Sequence, residues 1–532
     1  MNKVLRFVMV FIMILVLAGY GRNGDTEPPK PNRISYCGKN WYLLGINYPW
    51  INYGHDFGDT AWGHNGVSAV LAGWWRQQTY TDSQGITKVM GSSERAYTGG
   101  HSLKLSANLI GSDLHISKGE AFVDLRYHAP PGVQVPVNLK GIILRCWIYA
   151  PTGSSGEPNH PNGLQIFVKD ENWRSKYGAW VNIQEGQWNE VALAPSSETP
   201  PDGYMDKDFD PTRIVMVGVK VGTGTGASAR FQGAFYLDSF RVGDNVWFDF
   251  ENPTVAEQDF ANMASHIRVV RWFVFGDGRA APEFDQNGMV TGFDPYFYDD
   301  MDVVLAAART HGIYLILVLF DFHLCDTAKM ESGVRLGGHA DLITNPTKRQ
   351  SFIDKALKPM LSRYRGHSHI LAWEVMNEPE WAMTIDGGGT VGQPVPRKAM
   401  QDFARAIVQS VKATGQLVTL GSASRKWLSL WEDTGLDFFQ YHYYDWMETE
   451  TPLDVHYEQL GLNNKPCILG EFPTKGSKIN VGTYLEKAWS NDLAGALAWS
   501  FRAGDQASEF SPMPFKQWQQ AHLNAPVNIS CP

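Results

Sequence analysis

From about residue 262 onward the chain alternates two kinds of apolar pattern. Continuous apolar runs at 267–275, 313–320, 370–376, 417–421, 438–444, 466–470 and 495–501 read as strands buried on both faces, the texture of a parallel sheet. Amphipathic stretches separate them. Asp294 to Arg309 repeats apolar residues at helical spacing and stops near Gly312. Asn345-Pro346 opens another helix, with Asn as cap and Pro in the first turn, and Arg397 to Thr414 is a third. An eighth strand lies far upstream, at Trp41 to Tyr48. Eight β/α units predict an α/β fold, a closed (β/α)8 TIM barrel whose active site sits at the C-terminal strand ends.

Residues 70–245 have a different texture. Helical periodicity is absent, and short alternating runs dominate, such as Ile142 to Tyr149, Leu164 to Val168, Ile214 to Val219 and Phe235 to Phe240, punctuated by Gly, Pro and Ser. This predicts an all-β sandwich of jelly-roll type, inserted after the first barrel strand and before a helix at 253–265. An insertion in a strand-to-helix loop is expected near the catalytic face, where it can wall one side of a cleft. The division is then 1–22 export signal, 23–36 linker, 37–69 first barrel strand and loop, 70–248 sandwich, and 249–532 the rest of the barrel.

Composition narrows the function. At 532 residues the chain has room for two cores, and 43% hydrophobic with 19% charged residues suits a folded soluble protein. A net charge of -9 without a long basic block excludes a nucleic-acid partner. Nineteen Trp suit sugar binding, since indole rings stack on the apolar faces of pyranoses. Lys3 and Arg6 followed by the apolar run Phe7–Leu17 form an export signal too short to span a membrane. Leu17-Ala18-Gly19-Tyr20 is similar to a lipoprotein signal except that Tyr20 stands where the lipidated Cys belongs, so secretion to the periplasm, cell surface or medium is expected without a lipid anchor. Of five cysteines, Cys37 and Cys531 lie near the two ends of a barrel whose ends should meet, making them the disulfide candidate; Cys325 and Cys467 read as buried thiols. No spacing suggests a metal site.

Two motifs carry the chemistry. Leu371-Ala372-Trp373-Glu374-Val375-Met376-Asn377-Glu378-Pro379 and Pro466-Cys467-Ile468-Leu469-Gly470-Glu471-Phe472-Pro473 each end a buried strand on a glutamate. Two carboxyls on parallel strand ends can flank one glycosidic bond. With the polar strand ends around them, these motifs resemble the retaining glycoside hydrolases of clan A, closest to family 5, over 41–50 and 253–505. The resemblance implies Glu378 as general acid/base and Glu471 as nucleophile, with carboxyls about 5–5.5 Å apart.

The same resemblance implies supporting roles. Arg271 matches an arginine beside the nucleophile, and His323 a histidine lining the sugar cleft. Asn377 matches the residue that binds the sugar 2-hydroxyl, Tyr444 the hydroxyl that orients the nucleophile, and Trp499 the floor of the central subsite. His442 shares a strand face with Tyr444, and Asn47 is a weaker match on the first strand. Glu374 reads as an internal polar partner.

The sandwich resembles carbohydrate-binding modules. Trp173, Tyr177 and Trp180, close together in one polar stretch, are its candidate sugar contacts, with a structural calcium near Asp238 as an option. No other cofactor is expected, and a monomer is. Trp272 to Gly278 is similar to the matching strand of family 5 β-mannanases, which implies β-1,4-mannan as substrate. The alternatives are β-1,4-glucan, exo action on shorter chains, and a non-catalytic polysaccharide-binding protein.

Overall fold

The computed structural model describes residues 32–531 apart from 59–65, 70, 78–79, 81–82, 111–117, 224–229 and 252–253. The export signal and most of the linker lie outside the described residues. Among those residues, eight parallel strands close into a barrel: β1 (Leu43–Asn47), β2 (Val269–Phe273), β3 (Tyr314–Asp321), β4 (Ile370–Asn377), β5 (Leu417–Ser422), β6 (Phe439–His442), β7 (Cys467–Glu471) and β8 (Gly495–Ala498). They pair in chain order and β8 returns to β1. Nearly every strand residue is buried, because helices cover the outer face and side chains fill the inside.

Sequence explains the helices between them. Helix α1 (Val255–Met263) starts on Thr254, whose side chain accepts from Glu257 N. Helix α2 (Phe297–His311) ends on Gly312 at φ +64°, a left-handed cap that glycine adopts without Cβ strain. Helix α3 (Pro346–Phe352) has the Asn345 cap, accepting from Thr347 N and Lys348 N. Helix α4 (Arg397–Lys412) buries Met400, Phe403, Ala404, Ile407, Val408 and Val411 along one face. Among the described residues no helix is long and apolar enough to cross a membrane.

Two antiparallel sheets enclose a second apolar core between β1 and α1. One contains the strands Ser102–Ile110, Leu144–Ala150, Gln187–Leu193 and Arg230–Val242; the other contains Lys118–Asp124, His160–Asp170 and Ile214–Thr223. The first sheet leans on α2: Lys88 Nζ pairs with Asp299, and Tyr296 OH donates to Thr87 O at 3.3 Å. Asp300, on the same helix, accepts from Gly58 N and Ser68 N, both at 2.8 Å, and so ties down the chain on both sides of 59–65.

Residues 32–36, which the apolar pattern leaves in the linker, belong to the barrel body. Ile34–Tyr36 pairs with Lys39–Trp41, and the buried Arg33 guanidinium lies 4.9 Å from the Trp489 ring. Cys37 and Cys531 are disulfide-bonded, with Cα atoms 5.4 Å apart, which pins the chain's last segment beside its first strand. Cys146, Cys325 and Cys467 are buried thiols.

Candidate active site

Strand ends and the turns after them deliver the polar side chains to one mouth of the barrel. Arg271 on β2 is fully buried and acts as the hub. Its Nε and Nη2 donate to the two oxygens of Glu374, Nη1 to Glu471 Oε1 at 2.7 Å and Asn47 Oδ1 at 2.9 Å, and Nη2 to Asn377 Oδ1 at 2.8 Å. Burial opposes the guanidinium charge, but Glu374 and Glu471 outweigh it and hold the group protonated. The hub exists because β5 offers a glycine beside it: a Cβ on Gly421 would lie 2.5 Å from Glu374 Oε1 and 2.8 Å from Arg271 Nη2.

Asn377 ends β4 opposite Asp321 on β3. Its Oδ1 faces the donor-only guanidinium, so the amide cannot flip. One N–H of Nδ2 goes to Asp321 Oδ2 at 2.8 Å, and the other remains for a ligand. Glu378 follows at φ 46°, ψ 48°, a left-handed conformation that costs a non-glycine residue about 1 kcal/mol or more. That kink turns β4 into a short 3-10 turn, Pro379–Ala382. Residues three apart eclipse there, so Trp381 Nε1 donates to Glu378 Oε2 at 2.9 Å.

The other carboxyl ends β7. Glu471 Oε2 accepts from Tyr444 OH at 2.7 Å. His442, at the end of β6, places Nδ1 2.7 Å from Glu378 Oε1 and 3.4 Å from Glu471 Oε1. Burial lowers the His442 imidazole to about 4, with Arg271 acting the same way, so it is neutral. Its proton belongs on Nδ1, which faces two acceptors, because an unpaired buried N–H costs more than an unpaired lone pair.

Ligand atoms of Glu378, His442 and Glu471 all lie within 4.8 Å of one another, so the two carboxyls face each other at close range. That spacing also suits an ion, but Arg271 already sets a positive charge 2.7 Å from Glu471 where a dication would compete. Burial pushes Glu378 up to about 7, and the Asp321 charge adds to it. Burial also raises Glu471 to about 7, against His442 and Arg271. Of the two, Glu471 holds the direct cation contact, so the first negative charge settles there and the proton stays on Glu378.

The pair opens into a cleft of about 730 Å³. It is lined by Phe273 of β2, by Trp50 and Tyr53 after β1, by Trp381 after β4, and by Trp446 and Met447 after β6. Trp499 lies one residue past β8, with Nε1 bonded to Asp505 Oδ2 at 2.8 Å. His323 lines the wall with Nδ1 2.6 Å from Asp326 Oδ2.

Residues 244–503 match the family model described as Cellulase (glycosyl hydrolase family 5). A mannan endo-1,4-beta-mannosidase from Mytilus edulis is 29% identical over 285 residues, 46% of this chain and 76% of that protein. One from Cryptopygus antarcticus is 26% identical over 310 residues, 49% of this chain and 78% of that protein. A crystal structure of an endo-1,4-beta-mannanase from Eisenia fetida superposes with a TM-score of 0.44 at 26% identity, covering 49% of this chain and 81% of that one.

Over residues 244–503, just under half of the chain, the barrel matches the cellulase and mannanase superfamily of glycosyl hydrolase family 5. The chain is therefore a glycoside hydrolase.

Several site residues of the hydrolase lay outside the sequence expectations. Asp321, Trp381, Trp446, Trp50 and Tyr53 line the cleft. Asp321 and Trp381 had a local signal: one ends an apolar strand, the other falls three residues beyond Glu378. The expected Asn47 does not line the cleft; it is fully buried, accepting from Arg271 and donating to Gly470 O at 3.0 Å. Arg271 and His442 also act from beneath the carboxyls rather than on the cleft wall.

The sandwich expectations change more. None of its described residues lines the cleft. Trp173, Tyr177 and Trp180 lie over one sheet face, with Lys220 Nζ 5.3 Å from the Tyr177 ring and 5.2 Å from the Trp180 ring. The Trp180 ring lies over Gly163, Tyr177 stacks on Phe167 at 5.1 Å, and the Trp173 ring is 5.7 Å from Lys169 Nζ. These partners alternate along one strand, from 163 to 169, roughly 20 Å at 3.3 Å per residue, on the face away from the core. Asp238 anchors a turn: it accepts from Tyr97 N, Thr98 N and Ser239 N.

Proposed function

We propose that the chain is a secreted retaining endo-β-1,4-mannanase working by double displacement. The observation that carries this is the asymmetry of two facing carboxyls, one on a buried arginine and the other without a cation contact. Glu471, ionised against Arg271 and aimed by Tyr444, attacks the anomeric carbon. Glu378, protonated, gives its proton to the departing oxygen. A glycosyl–enzyme ester forms, Glu378 then takes a proton from water, and the water's oxygen displaces Glu471 with net retention. The free N–H of Asn377 is placed to bind the 2-hydroxyl, and Arg271 holds that amide's orientation while His442 bridges the carboxyls.

Mannan is favoured over glucan because the relatives named above are mannan endo-1,4-beta-mannosidases. Endo action is supported by aromatic residues that reach the cleft from the turns after β1, β4, β6 and β8. Export is supported by the basic-then-apolar start and by a disulfide, which persists in oxidising compartments. The aromatic face of the sandwich, with Trp173 half exposed, is proposed as an accessory polysaccharide contact. Reducing-sugar release is the test, measured on β-mannan, glucomannan, carboxymethyl cellulose, xylan and mixed-linkage glucan with Glu378→Ala as blank. Release from the mannans alone supports the reading; release from the cellulosic substrates moves the assignment to a glucanase, and no release at all overturns the hydrolytic role.

A further inference from the structure

Asp321 ends β3 at the bottom of the cleft, 3% exposed, in a place where a buried carboxylate needs a reason. Its Oδ1 accepts from His323 N at 2.9 Å and its Oδ2 from Asn377 Nδ2 at 2.8 Å. No arginine or lysine among the described residues hydrogen-bonds it. We propose that Asp321, bonded to the residue that precedes the acid, is a positioning residue with two separable effects: it aims the Asn377 amide at the sugar, and its carboxylate, when ionised, adds negative charge near Glu378. Burial opposes that ionisation.

The surroundings support both effects. Asn377 is held between a donor and an acceptor, Arg271 on one side and Asp321 on the other, so its second N–H has one direction left. The groups facing Asp321 are His323 from its own turn, with Nε2 at 3.9 Å, Asn377 from β4, Arg271 from β2 and Tyr53 from the β1 loop. Those facing Glu378 are Trp381 on its own turn, His442 from β6, Glu471 from β7, Arg271 and His323. After burial, Asp321 is the largest influence favouring the protonated acid, while Trp381, Arg271 and His323 oppose it.

This rests on Glu378 being the acid of the proposed function, so the test includes a readout that needs no turnover. Asp321→Asn removes the charge and keeps one acceptor oxygen, enough for Asn377 Nδ2 but not for His323 N as well. Infrared difference spectra between each protein and its Glu378→Gln counterpart isolate the protonated carboxyl of Glu378 and follow its titration. In Asp321→Asn that titration is expected about half a pH unit or more lower than in the parent, and the alkaline limb of kcat/KM should move with it. Asp321→Ala, which also frees the amide, is expected to lower kcat about tenfold further with a smaller change in KM. A Glu378 titration that stays put in a folded Asp321→Asn protein overturns the electrostatic role. Equal kcat in the Asn and Ala variants overturns the aiming role. Asp321→Ser is read in the same way should the Asn variant fail to fold. Absent hydrolysis with a shifted titration would instead count against the proposed function alone.

Discussion

Arg271 Nη1 lies 2.7 Å from Glu471 Oε1, while among the described residues the partners of the Glu378 carboxyl are Trp381 and His442. One guanidinium thus decides which of two close carboxyls is charged. It also neutralises Glu374, so Arg271→Met leaves two buried carboxylates without a cation. That change is expected to destabilise the barrel by about 3–5 kcal/mol and to abolish turnover, measured by urea unfolding and by sugar release. Arg271→Lys restores the charge without the fork and should recover stability better than activity.

The activity should fall as pH rises through about 7. The sign follows from the role: Glu378 acts as an acid only while protonated, and burial with Asp321 pushes it up to about 7. On the acid side activity should fall as Glu471 protonates and loses its nucleophilic charge. A pH profile of kcat/KM on mannan checks both limbs. In Glu378→Gln, measured with an activated aryl leaving group that needs no acid, the alkaline limb should vanish.

Trp381→Phe should move the alkaline limb upward. The indole N–H favours the ionised form of Glu378, so removing it raises that group, opposite in sign to Asp321→Asn. Loss of one hydrogen bond to a carboxylate predicts a shift of about one pH unit. An unshifted limb would mean that the Trp381 contact plays no part in the reacting enzyme.

The barrel was legible because parallel strands covered on both faces write themselves as unbroken apolar runs, and their ends showed as the first polar residues after each run. Glu378, Glu471, Arg271 and Asn377 were found that way, through their resemblance to a family. Trp446 and Trp50 were not, because they sit on loops whose reach into the cleft depends on how the ring closes. The sandwich was readable as alternation, but alternation does not say which face is covered. Trp173, Tyr177 and Trp180 are close in sequence, and their contacts fall at Lys169, Phe167 and Gly163 along one neighbouring strand. Asn47 meets the site through Arg271 rather than at the cleft wall, because a polar residue at a strand end can point into the barrel floor as readily as into the cleft.

Breaking Cys37–Cys531 should cost stability without touching chemistry. The bond ties the last described segment to the first strand, far from the carboxyls. Cys37→Ser with Cys531→Ser is expected to lower stability by about 2–5 kcal/mol and leave kcat within a factor of two. Thermal unfolding and initial rates check the two halves separately.

The most direct test of the central claim is the anomer formed first. Proton NMR during hydrolysis of β-1,4-mannohexaose, with Glu471→Ala as the blank, reads it before mutarotation. Double displacement through Glu471 requires the β-anomer first from the parent protein and no product from the blank. An α-anomer first, or turnover by Glu471→Ala, would contradict the mechanism and the assignment of the nucleophile.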